Sequence, residues 1–115
     1  MAISEFEVKR CERELNKFLE ARRPPLSIRH ELDMGYRINN QSIEIFSIRP
    51  DWQDSTKVME ESHAKVSYVK SKSVWEIFWQ RADLKWHSYE PTPTVRYLED
   101  ALNAIKDDQY ACFFG

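Results

Sequence analysis

VWEIFWQRADLKWHSYE, Val74 to Glu90, decides the fold of this chain. Both halves are rich in aromatic and β-branched residues, and Asp83-Leu84 between them can turn the chain, so the stretch predicts a β-hairpin. It carries three of the four tryptophans, together with Phe78, His87 and Tyr89. With Asp83-Leu84 as a two-residue loop, Trp79 falls opposite Ser88 and Phe78 opposite Tyr89.

Working outward, Ser71-Lys72 joins the hairpin to a strand from Lys65 to Lys70, with Tyr68 opposite Trp75 and Val66 opposite Ile77. Earlier in the chain, Leu32, Met34, Tyr36 and Ile38 alternate with Asp33, Gly35 and Arg37, the period of a half-buried strand. Asn39-Asn40-Gln41 turns, and Ile43 and Ile45 resume the alternation as far as Arg49. A two-residue Asn40-Gln41 loop sets Ile38 against Ile43 and Tyr36 against Ile45 on one face. It sets Arg37 against Glu44 on the other. Between these hairpins lies PDWQDSTKVMEES, residues 50–62, the longest irregular segment, with a short helix or strand near Lys57 to Glu61. Its Trp52 reads either as a pin holding the loop to the core or as a binding residue.

Helices flank the strands. Ser4 suits an N-cap, and Val8, Cys11, Leu15, Phe18 and Leu19 recur at helical spacing up to about Arg22, where Pro24-Pro25 ends the helix. Near the other end, Val95, Leu98, Leu102 and Ile105 form a second stripe, with Thr92 as its cap, Pro93 in the first turn and Thr94 competing. The fold class is α+β: one domain over residues 1–115, an antiparallel β-meander of about five strands with an N-terminal and a C-terminal helix.

These registers sort the sheet into two faces. Met34, Tyr36, Ile38, Ile43, Ile45, Val66, Tyr68, Trp75, Ile77, Trp79 and Trp86 form the core face. Phe46, Ile48, Phe78 and Tyr89, with Glu76, Gln80, Lys85 and His87, form the other. That second face is too apolar to stand wet, so a helix, the Cys112–Gly115 tail or a partner should cover it.

Composition narrows the function classes. The chain has 115 residues, 31% of them charged, with a net charge of -2, which argues against bulk affinity for nucleic acid. Two glycines leave almost no material for a phosphate-cradling loop. Cys11 and Cys112, without C-x-x-C spacing, read as reduced and buried thiols. Residues 1–15 carry charges throughout and no apolar run could span a membrane, so the expected setting is the cytoplasm.

Named chemistries fare poorly. His30, His63 and His87 have no close ligand partners in sequence. Asp51 with Asp83-Leu84-Lys85 resembles the acid, acid-x-lysine pattern of metal-dependent nucleases, but Asp83 falls in a turn. Phe78, Lys85, His87 and Tyr89, with Arg81 near the turn, approximate a single-strand nucleic-acid platform. On that reading Tyr89→Ala should lose binding and little stability. The sequence leans to a non-enzymatic binding or protein-interaction module. Its expected contacts are Phe78, Gln80, Lys85, His87, Tyr89, Arg81 and Trp52, and its partner a protein or a second copy. No catalytic residue, metal ligand or cofactor is expected. Single-strand nucleic-acid binding is the alternative, ahead of a metal-dependent hydrolase.

The stretch W-E-I-F-W-Q-R-A-D-L-K-W-H-S-Y, the capped helix after it and the ending D-D-Q-Y-A-C-F-F-G resemble a family of small bacterial proteins known only as a domain of unknown function. The resemblance runs from about Ile43 to Gly115, through Trp75, Trp79, Arg81, Lys85, Trp86, His87, Tyr89, Asp108, Cys112, Phe113 and Gly115, leaving the first helix as a variable part. It implies a bacterial origin and a single-domain format, and carries over no activity and no functional residue.

Overall fold

The computed structural model describes residues 4–54, 56–109 and 112–113. Helix α1 (Glu5–Arg22) begins where the Ser4 hydroxyl accepts the Glu7 N–H, and Glu5 and Glu7 favour its positive end. Cys11, Leu15 and Phe18 form its buried stripe. Arg23 leaves the helix in extended geometry before Pro24, and its guanidinium grips both Asp33 oxygens at 2.6 and 2.7 Å. That fork holds the Asp33 carboxyl down at about 2 and clips the helix end to the sheet.

Strands β1 (Asp33–Asn39), β2 (Ser42–Pro50), β3 (Val58–Val69), β4 (Val74–Gln80) and β5 (Trp86–Ser88) form an antiparallel meander in that order. Two of the three expected hairpin registers are as the alternation predicts. Ile38 pairs Ile43, Tyr36 pairs Ile45 and Arg37 pairs Glu44 around Asn40, whose φ is 57°. Tyr68 pairs Trp75 and Val66 pairs Ile77. A sixth strand, β6 (Thr94–Val95), pairs β4, and α2 (Leu98–Asp107) follows.

The helix after the sheet starts later than expected. Neither Thr92 nor Thr94 caps it; Tyr97 stands at the N-cap with no side-chain hydrogen bond. The Pro93 carbonyl accepts the Ile77 N–H at 3.0 Å, so pairing to β4 holds the chain extended through Val95. The irregular segment is shorter than expected, because β3 already begins at Val58. Its signal was masked by Glu60-Glu61-Ser62, polar on both faces, and by a bulge at His63. Ile45 pairs Ala64 and Phe46 pairs Ser62, which leaves His63 as the extra residue and breaks the two-residue period.

The Val74–Glu90 hairpin departs furthest from the expected pairing. Phe78 pairs Ser88, Trp79 pairs His87 and Gln80 pairs Trp86, one residue out of the expected register. The turn is longer: Leu84 N–H donates to the Arg81 carbonyl at 2.8 Å and Arg81 N–H to the Lys85 carbonyl at 3.2 Å. Leu84 takes a left-handed φ of 63°, and an Asp83 carboxylate oxygen accepts the Lys85 N–H at 2.9 Å. A slip of one residue exchanges the two faces. Trp86 therefore joins Phe78 on the second face and His87 joins Trp79 on the core side. Beyond β5, Tyr89 turns inward to 3% exposure, its ring 4.8 Å from that of Phe113.

Both helices cover one side of the sheet. Leu15 and Phe18 from α1, and Leu98, Leu102 and Ile105 from α2, close over Ile43, Ile45, Val66, Trp75 and Ile77. Apolar burial of this size is the main term holding the fold. Neither helix nor the described part of the tail covers the second face. Phe113 packs with Tyr89 in the core, while Phe114 and Gly115 lie outside the described residues.

Candidate functional site

The expected site residues divide among four places. Phe78 and Gln80 stand on the open sheet face with Trp86. This face shields its aromatics with its own cations. Lys65 Nζ lies 5.6 Å from the Phe78 ring centre and 5.8 Å from that of Trp86. Arg37 lies 4.5 Å over Phe46 and reaches Glu60 at 2.5 Å. Gly35 makes room for that Phe46 ring, since a Cβ there would sit 3.2 Å from it. Glu44, Glu60 and Glu76 share the face by register, and Glu44 accepts a hydrogen bond from Ser62. The expectation that a helix or the tail covers this face is not met by either helix or by the described part of the tail; cationic stems and carboxylates dress the rings instead.

Arg81, His87 and Tyr89 come together on the other side of the hairpin. With Trp79, Glu90 and Cys112 they line a cleft of about 300 Å³. The Arg81 guanidinium lies 5.3 Å over the Trp79 ring. His87 Nε2 is 2.9 Å from Asp83. The Lys85 N–H, and then His87, hold the Asp83 carboxyl below its usual range. Tyr89 shows the cleft only a wall, since its ring is buried. Burial, and then Asp108, push the half-buried Cys112 thiol up, which opposes a nucleophilic role; burial also pushes Cys11 up to about 11. The sequence reading places Trp79 in the core and Asp83 in a turn and does not single out Glu90; a two-residue loop hides the contact between Asp83 and His87. Lys85 is exposed in the turn, where its carbonyl accepts the Arg81 N–H and its own N–H donates to Asp83.

Trp52 is elsewhere again. It stands on the connection 51–57, 83% exposed, so it pins nothing to the core. The connection holds itself without the indole. Asp51 N–H donates to the Lys57 carbonyl at 2.9 Å, Asp51 accepts from Gln53 N–H at 2.8 Å, and Asp54 accepts from Thr56. Pro50 pairs Val58, which is 70% exposed, and both share the open face with Ile48 and Phe46.

His63, tucked in by its bulge, is the buried polar group that spacing could not reveal. Its Nδ1 lies 3.0 Å from the Phe113 carbonyl, which only accepts, so this nitrogen carries the proton and Nε2 faces the Ser47 hydroxyl. Burial holds its pKa below the ordinary 6.5. The unfolded chain therefore takes up this proton at a higher pH than the folded one. The contribution of neutral His63 is complete above 6.5 and is lost as pH falls towards the folded value. Urea midpoints should accordingly drop from pH 7.5 to pH 5.5, and His63→Gln should remove a measurable part of that drop. An equal drop in both proteins would refute the assignment.

Among the described residues, no three His, Cys, Asp or Glu side chains are grouped to hold a metal ion. Asp51 and Asp83 of the nuclease pattern each serve their own turn. No helix among the described residues is long and apolar enough to cross a membrane.

Fold and site define a small α+β protein: a meander with two helices on one face and, among the described residues, an open second face and small clefts. The chain belongs to the family described as a domain of unknown function, DUF3024, whose family model matches residues 3–115. The match takes in the first helix, which the resemblance had left as a variable part. No curated protein and no solved structure matches the chain.

Proposed function

We propose that the chain, as one domain, acts by binding rather than catalysis, and that its partner is a protein gripped at the free end of the β2–β3 hairpin. The observation that carries this is Trp52, 83% exposed on a turn that its own aspartates already stabilise. An indole presents a large rigid apolar surface at low entropic cost, and tryptophan is enriched among residues that dominate protein interfaces. Val58, also largely exposed, extends the apolar surface along the open face. The sequence expectations of a bacterial origin and a cytoplasmic setting belong to the same reading.

Single-strand nucleic-acid binding is less well supported. Lys65 already occupies the space over Phe78 and Trp86, and three glutamates share their face.

A photo-crosslinking amino acid at Gln53 tests the proposal in native cells. A discrete adduct should form, and Trp52→Ala should abolish it while leaving unfolding free energy within about 0.5 kcal/mol, as for an exposed side chain. An adduct of two chain masses, with dimer mass in light scattering, would make the partner a second copy. An adduct that survives Trp52→Ala, or no adduct, rejects the proposal.

A further inference from the structure

We propose that the cleft beneath the β4–β5 turn is a binding site for a small oxyanion, a carboxylate or phosphate group, held by Arg81 and His87. This site lies apart from the Trp52 contact and does not rest on it.

The geometry supplies two polar groups that the fold positions and leaves incompletely used. Arg81 lies over the Trp79 ring at 5.3 Å, which orients the flat guanidinium, and no carboxylate among the described residues comes within ion-pair distance of it. Such a fork matches the paired oxygens of a carboxylate or phosphate. His87 is oriented from behind. The ionised Asp83 carboxylate can only accept, so His87 Nε2 carries the proton it shares at 2.9 Å. That leaves Nδ1 with no hydrogen-bond partner among the described residues, and as an imidazolium, paired through Nε2 with the Asp83 carboxylate, the ring donates this Nδ1–H to the anion. Asp83 is thus a positioning residue, already engaged by the Lys85 N–H. Trp79 and Tyr89 wall the cleft with rings, and its volume of about 300 Å³ is at the small end for ligand pockets, which suits a compact anion. Glu90 is the opposing charge on the rim, so it sets the selectivity: its removal should strengthen anion binding.

The test is titration of the isotope-labelled intact protein with sodium phosphate and, separately, sodium acetate, at constant ionic strength. Saturable shifts should appear in the Trp79 indole N–H and in backbone amides from Arg81 to Glu90. The anion that saturates identifies phosphate or carboxylate as the source. Arg81→Gln should weaken binding by about tenfold or more, the scale of a charge-assisted contact. Arg81→Lys, which keeps the charge and loses the fork, should recover only part of it. Glu90→Gln should tighten it, and Trp52→Ala should leave it unchanged. Unaltered dispersion of the remaining resonances shows that each variant folds. The proposal is overturned by non-saturating shifts spread over all basic residues, by unchanged affinity in Arg81→Gln, or by weaker binding in Glu90→Gln.

Discussion

Tyr89→Ala should lower the unfolding free energy by about 3–5 kcal/mol, the range for deleting a buried aromatic ring. Tyr89 is 3% exposed and packs on Phe113. Its N–H also donates to the Ile77 carbonyl at 2.9 Å, and so it fastens both the chain after β5 and the chain end to the core. Removing the ring leaves a cavity bounded by Phe113, and a sheet and two helices cannot close over it without moving together. Against a typical domain stability of about 5–15 kcal/mol the loss is large. Urea denaturation measures it as a fall in midpoint at unchanged m-value. A loss below about 1 kcal/mol would mean that Tyr89 and Phe113 do not form a packed pair. This reverses the reading from sequence, in which the same substitution cost binding and spared the fold.

Ile77→Ala should cost about 2–5 kcal/mol, while Phe78→Ala, its neighbour, should cost about 1–2 kcal/mol. Ile77 has no exposed surface, faces both helices from β4 and joins two hydrogen bonds that bind the later chain to the sheet. Phe78 is the larger side chain, yet it lies half-buried on the open face under Lys65. Side-chain size alone would order the two substitutions the other way. Parallel urea series on both variants decide it, and equal losses would show that a further layer covers the second face.

How much was legible depends on the local signal. Arg37, Ile38, Ile43 and Glu44 declare their register because both faces are patterned and Asn40 accepts a positive φ. The β4–β5 turn offers no such constraint. Leu84 is a poor left-handed residue, and only the bonds made by Asp83 and Gln80 to the turn make the longer loop preferable. Of the expected site residues, Phe78 and Gln80 keep their predicted face, while Arg81 and His87 gather in a cleft that the shorter loop concealed. Trp52 could not be placed from sequence, since an indole in a loop has the same local pattern whether it docks or stands free.

By itself, the sequence determined two helices around an antiparallel meander, the α+β class, the β1–β2 and β3–β4 registers and the apolar stripes through Cys11, Leu15 and Phe18 and through Leu98, Leu102 and Ile105, but not β6, where Val95 was expected to be helical. Those follow from periodicity and turn chemistry, which act between residues close in the chain. Tertiary structure alone decided that both helices share one face, that cations shield the rings of the other, and that His63 meets Ser47 and Phe113. It also decided that the Val74–Glu90 hairpin slips by one residue. These outcomes balance burial, hydrogen bonding and charge between segments distant in sequence, and a one-residue slip changes no local pattern while exchanging every side chain between core and surface.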